Sequence, residues 1–313
     1  MRIAGTSYND SIVNQLNQLA AQQYTLQGEA TTGQRIQAPA DDPAAMSAAL
    51  NLQAENSSVQ QFSQNVSTLQ NRASLSGSAL QQLKTITDKA NELAAGVDGT
   101  SSVQTMLTDS TQVSQLIQQA VDVLNSKDGN SYLFGGTASG QAPFSVTTDV
   151  DGNVTAVTYQ GNTTVSQSQV SANSSISVDV PGENNTGSGP RGVVSDSRYG
   201  ADLFNHLISL QNNLLNGNST AVSTTDLSSL QKDDDNVIFQ VADNGAVQTR
   251  LASAASADTA SQAALQSSIT NVAGADLTTT LVKLSQANNA YQAGLQSASA
   301  ILQLKQSLLS YLP

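Results

Sequence analysis

A chain of 313 residues with 4% aromatics, no Trp and only 12% charged residues has few large anchors for a compact catalytic core and suits long helices packed through small residues. Its net charge of −12, from 12 Lys and Arg against 24 Asp and Glu, argues against nucleic acid or an anionic membrane surface as partner. The absence of Cys removes disulfides, thiolate metal sites and Cys nucleophiles.

The first predicted element is a helix with a heptad seam. Ile12, Leu16, Leu19, Gln23, Leu26 and Ala30 are spaced alternately by four and three, the period of a coiled coil. Gly33 and Pro39 interrupt it. Asp41-Asp42-Pro43 restarts a helix, with Asp42 as cap and Pro43 at the first helical position, where it sacrifices no hydrogen bond. The seam then runs from Ala48 through Leu52, Val59, Phe62, Val66, Leu69, Ala73, Leu80 and Leu83, and shifts by one residue to Ile86, Ala90 and Leu93. A helix over residues 43–95 is about 80 Å long, so it needs other long helices as neighbours. Gly96-Val97-Asp98-Gly99 breaks it, Thr100 or Ser101 caps the next, and that helix carries Met106, Val113, Ile117, Ala120 and Leu124.

From residue 137 to 191 the helical period vanishes. Val- and Thr-rich runs over 144–147 and 154–159 flank Asp151-Gly152, a hairpin-turn signal, and 176–180 alternates with period two. Residues 181–190 read as loop. Helices resume near Ser197 with Leu203, Leu207, Leu210 and Leu214, and again near Asp226 with a poorer seam of Val237, Val241, Val247, Leu251 and Leu265. The last segment is regular: Leu277, Leu281, Leu284, Asn288, Tyr291, Leu295, Ala298, Leu302, Lys305, Leu309 and Leu312 keep the alternation of four and three.

The expected fold is mainly α with an inserted β domain. A long antiparallel helical rod, coiled-coil-like, forms from the two halves, because neither end can bury its stripe alone. Three domains are expected: residues 1–42 with 270–313 as a terminal coiled coil, 43–136 with 193–269 as a helical rod, and 137–192 as a β-rich outer domain.

Candidate chemical sites are few, and each has a plainer reading. Asp41 and Asp42 before Pro43 suit helix capping better than acid–base or metal chemistry. His206, the single histidine, sits among Leu, Asn and Gln and reads as a surface or partly packed residue. Asp233-Asp234-Asp235 reads as a solvated helix face. Asp149-Val150-Asp151-Gly152-Asn153 lacks the downstream Glu of a calcium loop, position 160 being Gln160, and reads as a turn. No Gly-rich phosphate loop with Lys and no zinc-ligand spacing occurs. No catalytic, cofactor or metal residue is therefore expected, and the chain is expected not to be an enzyme. No stretch has the apolar length of a membrane span, and residues 1–6 lack a secretory hydrophobic region, so the expected locations are cytoplasmic or exported without a cleaved signal.

Local motifs are more specific. The run Thr32-Gly33-Gln34-Arg35-Ile36-Gln37-Ala38-Pro39-Ala40-Asp41-Asp42-Pro43, after a first helix of about thirty residues, resembles the turn of the bacterial flagellin superfamily, a Gly-x-Arg-Ile stretch followed by paired Asp. Flagellins commonly continue Ala-Ala-Gly, whereas this chain has Pro43-Ala44-Ala45. That departure, the opening Met1-Arg2-Ile3, the run Tyr132-Leu133-Phe134-Gly135-Gly136, the element Tyr159-Gln160-Gly161-Asn162 and the ending from Leu295 to Leu312 resemble the hook-associated junction proteins of that superfamily.

The resemblance implies a structural subunit of the bacterial flagellum that joins hook to filament and templates flagellin. A flagellin proper, or a secreted coiled-coil tip protein that binds a partner through its β insert, are the other readings. It implies export through the flagellar channel to the extracellular flagellum, and terminal helices that order only on assembly into an inner coiled-coil layer. It implies as partners further copies in a ring, the other hook-associated junction protein, flagellin and an export chaperone; no cofactor, nucleic acid or membrane is implied. The expected assembly residues are Leu16, Leu19, Leu26, Arg35, Ile36, Asp41, Asp42, Leu281, Leu284, Tyr291, Leu295, Leu302 and Leu309. For Arg35 an ion pair between subunits and a local contact with Asp41 or Asp42 are both open.

Overall fold

The computed structural model describes the backbone of residues 3–310 and the side chains of 10–301 and 303. Long N- and C-terminal helices pack on each other, and a β-rich region lies in the middle of the chain. In order the elements are α1 (Ile3–Thr32), α2 (Pro43–Gly96), α3 (Val103–Leu124), β1 (Lys127–Asp128), β2 (Ser131–Tyr132), β3 (Phe144–Thr148), β4 (Val154–Tyr159), β5 (Ser168–Ser171), β6 (Ser174–Ile176), β7 (Glu183–Asn184), β8 (Ser195–Asp196), β9 (Ala201–Asp202), α4 (Leu203–Leu215), α5 (Ser219–Ala221), a π-helical turn (Val222–Asp226), α6 (Leu227–Ala273) and α7 (Leu277–Ser310). The chain divides into two compact units, residues 1–59 with 260–313, and residues 60–259.

In the terminal unit α1 and α7 are antiparallel partners. The turn between α1 and α2 is anchored to the end of α6 through a small cluster of Ile36, Ala49 and Ala273, with Ala45, Met46 and Val272 packed on it.

In the central unit one core joins α2, α3, α4 and α6 to the β region. Its fully buried side chains include Leu80, Leu83, Ile117, Leu124, Leu203, Leu207 and Leu210. The expected hairpin is β3 paired antiparallel with β4, with Phe144 opposite Tyr159. Asp149 makes its turn, since its Oδ1 accepts from the backbone N–H groups of Asp151 (3.0 Å) and Asn153 (2.8 Å). The Tyr-Leu-Phe-Gly-Gly run fastens this region. Leu133 and Phe134 are buried. The Phe134 carbonyl accepts from Gly182 N (2.8 Å) and from the Tyr159 hydroxyl (3.0 Å), and burial pushes that hydroxyl up to a pKa of about 12. Gly136 has φ +63°, and a Cβ there would lie 2.3 Å from the Asn162 carbonyl oxygen, so the motif tolerates only Gly.

Several expectations need adjusting. The period-two run 176–180 is strand only up to Ile176. Beyond it Asp179 pairs with Arg72, whose Nε donates to its Oδ1 (2.7 Å). The helix after the β region starts at Leu203, because 195–196 and 201–202 pair as β8 and β9 first. Ser102 caps α3, its hydroxyl accepting from Thr105 N, while Asp98 holds the preceding turn through Thr100 and Ser101.

Candidate assembly surface

The α1 seam faces α7 as its spacing predicts. Leu26 is buried, and Ile12, Leu16, Leu19, Gln23 and Ala30 are half-buried. The contacts fix the antiparallel register. The Gln23 amide donates to Asn288 Oδ1 (2.8 Å), Thr280 reaches Glu29 (3.5 Å), and the Gly294 Cα approaches so closely that a Cβ there would lie 3.0 Å from Leu16.

On α7 the side turned to α1 carries Thr280, Leu284, Ala287, Tyr291, Gly294 and Ala298, all buried or half-buried. This face is offset from the richest leucine stripe by about a quarter-turn at 3.6 residues per turn. Leu281 is 56% exposed and Leu295 45%, with Leu277 and Val282 similarly open. The expected α7 seam thus splits, with Leu284 and Tyr291 at its border with α1 and Leu281 and Leu295 facing solvent. The physical reason is size. Ala, Gly and Thr let the two backbones approach, and leucines at the same positions would hold them apart. The side chains of Leu302 and Leu309 lie outside the described residues.

The turn residues make local contacts. Gly33 closes α1 with φ +69°. Arg35 N donates to Ala273 O (2.8 Å), and Ala275 N donates to Gly33 O (2.9 Å). The Arg35 guanidinium donates to Val272 O (3.1 Å) and lies 3.8 Å from Asp42 of the same chain. An exposed pair of this kind contributes little by itself. Ile36 is buried beneath it. Asp42 Oδ1 accepts from Ala45 N (3.0 Å) as the α2 cap. Asp41 accepts from Ala38 N (2.8 Å) and Gln37 N (3.0 Å), bonds that hold its carboxyl below the usual range.

One reading of the polar residues is corrected, that of the triple-Asp run, while His206 is a partly packed helix residue. His206 has a partner: its Nδ1 lies 2.7 Å from Asp233 Oδ2. Burial pulls the imidazole pKa down, but the bond and charge of Asp233 outweigh this and leave it raised. The triple-Asp run is only partly solvated, Asp235 alone being exposed. Asp233 is buried and also accepts from Asp202 N (2.7 Å), and Asp234 lies 3.2 Å from Lys84 Nζ and accepts from Thr87. The pairing joins residues 27 apart in sequence, beyond the reach of any local pattern. Burial, with Asp202 adding repulsion, pushes the nearby Glu183 up to about 7. The adjacent Ser209 hydroxyl donates to Asp226 (2.8 Å), not to the imidazole. Among the described residues no three His, Asp or Glu side chains gather as a metal site, and no helix is long and apolar enough to cross a membrane.

Sequence reasoning also missed an amide ladder on α6. Asn236 donates to Gly192 O and Val193 O, Gln240 to Arg191 O and Gly192 O, and Asn244 to Ala73 O. Gln248 continues the series with a bond to Asn244 Oδ1. The regular step of four residues in 236, 240, 244 and 248 is the signal that marks them.

Residues 7–139 match the model of the bacterial flagellin N-terminal helical region. Flagellar hook-associated protein 3 of Escherichia coli (strain K12) is 32% identical over 117 residues, and the match spans 37% of this chain and 37% of that protein. In solved structures the fold recurs in a flagellar hook-associated protein of Vibrio parahaemolyticus, at 18% identity and TM-score 0.63 over 75% of this chain and all of that one. It recurs in the flagellar junction protein FlgL of Legionella pneumophila, at 16% identity and TM-score 0.54 over 72% of this chain and all of that one. The chain is thus similar to the bacterial flagellin N-terminal helical region over residues 7–139, and the solved structures share its fold. The matched region takes in most of α1, the Gly-Arg-Ile turn, α2, α3 and the Tyr-Leu-Phe-Gly-Gly run.

Proposed function

We infer that the chain is a non-enzymatic structural subunit of the bacterial flagellum that forms the junction between hook and filament and templates flagellin assembly. The observation that carries this reading is the exposed heptad face of α7, where Leu281 and Leu295 lie in solvent beside an α1–α7 pair that is already closed. A leucine stripe of coiled-coil period with no cover in its own chain calls for a helix from a neighbour. The helices of residues 1–42 and 270–313 act as an inner coiled coil, 43–136 with 193–269 as a surrounding helical layer, and 137–192 as an outward β region. The partners are further copies of the chain, the second hook-associated junction protein and flagellin. Before assembly an export chaperone covers the amphipathic C-terminal helix. The assembly residues are the seam leucines and the turn from Arg35 to Asp42.

Deleting the gene tests this reading. The expected strain secretes flagellin into the medium unpolymerised and does not swim. Normal filaments in that strain would overturn the assignment.

A further inference from the structure

Where the chain passes from β9 into α4, ionisable side chains from four elements meet: Glu183 of β7, Asp202 of β9, His206 of α4 and Asp233 of α6. Asp233 is the anchor. It is 1% exposed, its Oδ1 accepts from the Asp202 backbone N–H (2.7 Å), and its Oδ2 lies 2.7 Å from His206 Nδ1. Through these two bonds one buried carboxylate ties α6 to the end of β9 and to the first turn of α4. The Asp202 carboxylate accepts from Asn205 (2.8 Å) and repels both Asp233 and Glu183. Glu183 is half-buried, and the Tyr159 hydroxyl feels its charge from β4. Lys232 of α6 is the cation that faces the imidazole, and its side chain runs past Gly200 in the β8–β9 turn.

Three acids thus stand around one imidazole that solvent protons reach, because His206 is only half-buried. With the ring protonated, the buried Asp233 has a cation at hydrogen-bond distance. Without that proton Nδ1–H still donates, but the buried charge has lost its counterion, and a buried unpaired charge costs a fold dearly. Glu183 acts in the same direction. As a neutral acid it sits beside Asp202 without repulsion, and burial, with the charge of Asp202 second, pushes it up to about 7. Burial lowers the imidazole, but the bond and charge of Asp233 and the charge of Asp202 leave it raised. Burial raises Asp233 more than the imidazole lowers it. All three groups therefore keep protons in the folded unit at a pH where the unfolded chain has released them. The stability they supply is fully present below their ordinary values and is lost as pH rises through about 7 and above.

We propose that His206, Asp233, Asp202 and Glu183 form a proton-operated latch that fastens α4 and the β7–β8–β9 sheet to α6 in acid and slackens in alkali. The response is confined to this end of the contact. Farther along α6 the side-chain amides of Asn236 and Gln240 hold the backbone of residues 191–193, and amides do not titrate. The β region therefore keeps one fixed attachment to α6 and one that follows pH. The latch lies within the central unit, so it holds whether or not the chain joins a flagellum.

The single histidine makes the test direct, since the full chain labelled with carbon-13 histidine gives one imidazole signal. Its NMR titration is expected to have a midpoint above the ordinary histidine value. Thermal melts supply the second readout. The wild-type melting temperature is expected to fall by about 5 °C between about pH 5.5 and about pH 8.5. The double variant His206→Asn with Glu183→Gln keeps an amide donor for Asp233 and a neutral partner for Asp202, but neither replacement titrates; it is expected to lose at least about half of that fall. Asp243→Asn, which removes an exposed acid of α6 outside the cluster, is the control for the general self-repulsion of an acidic chain and is expected to keep the fall. An imidazole midpoint at or below the ordinary value, or a double variant as sensitive to pH as the wild type, overturns the latch. If the double variant does not fold at either pH, the wild-type titration decides alone.

Discussion

Replacing Leu281 and Leu295 together with Glu is expected to leave the isolated chain folded and to stop its incorporation into flagella. Both side chains are about half exposed, so their loss costs the monomer little; surface changes of this kind usually stay within about 0.5 kcal/mol. Assembly is another matter. Burying a leucine against a neighbour contributes about 1.5–3 kcal/mol, and a carboxylate in its place must be desolvated without a partner. Two such positions weaken each contact by about a hundredfold or more, at roughly 1.4 kcal/mol per factor of ten. The expected readout is an unchanged thermal melt, no chain in sheared flagella and no swimming when the variant is the sole copy. The matched control is Leu284→Glu, at the border with α1, which is expected to destabilise the monomer as well. Wild-type incorporation of the double variant would remove the α7 stripe from the account.

Phe144→Ala is expected to cost the central unit about 3–5 kcal/mol, the usual range for a buried Phe. Phe144 is a hub of that unit. Its ring is buried, 5.1 Å from Tyr159 and 5.4 Å from Phe204, so one side chain ties the hairpin to α4. Its backbone N–H and C=O are both bound by the Asn125 side chain at the end of α3. Equilibrium urea denaturation of the purified chain measures the loss, and early proteolytic cutting between residues 137 and 192 locates it. A loss below about 1 kcal/mol would mean that the hairpin does not depend on this core.

Much of this was legible because coiled-coil seams, caps and hairpin turns are local. The α1 seam, the Asp42-Pro43 start of α2 and the turn at Asp149–Gly152 follow from spacing and residue type alone. What the spacing could not reveal is which partner covers which stripe. Residues 277–302 contain two superposed heptad stripes, one of leucines and one of Thr280, Ala287, Gly294 and Ala298. Hydrophobicity marks the first, whereas close packing within the chain selects the second. Polar pairings were illegible for a related reason. His206 on α4 meets Asp233 on α6, and Arg72 on α2 meets Asp179 beyond β6, through tertiary packing that no local pattern encodes. A triple-Asp run has the same composition whether water or an imidazole and a lysine receives it. The Gly-Arg-Ile turn and the Tyr-Leu-Phe-Gly-Gly run were readable as motifs before their work was visible. That work is to pin α1 to the end of α6, and to lock the β region through Phe134 and Gly136.

The central claim is that the chain is a junction subunit and not the bulk material of a filament. Quantitative mass spectrometry of sheared, purified flagella, combined with antibody-gold labelling, tests it most directly. The account predicts a small fixed number of copies per flagellum, far below flagellin and independent of filament length, with label confined to the hook end. Copies that rise in proportion to filament length, with label along its whole extent, would make the chain a flagellin and contradict the account.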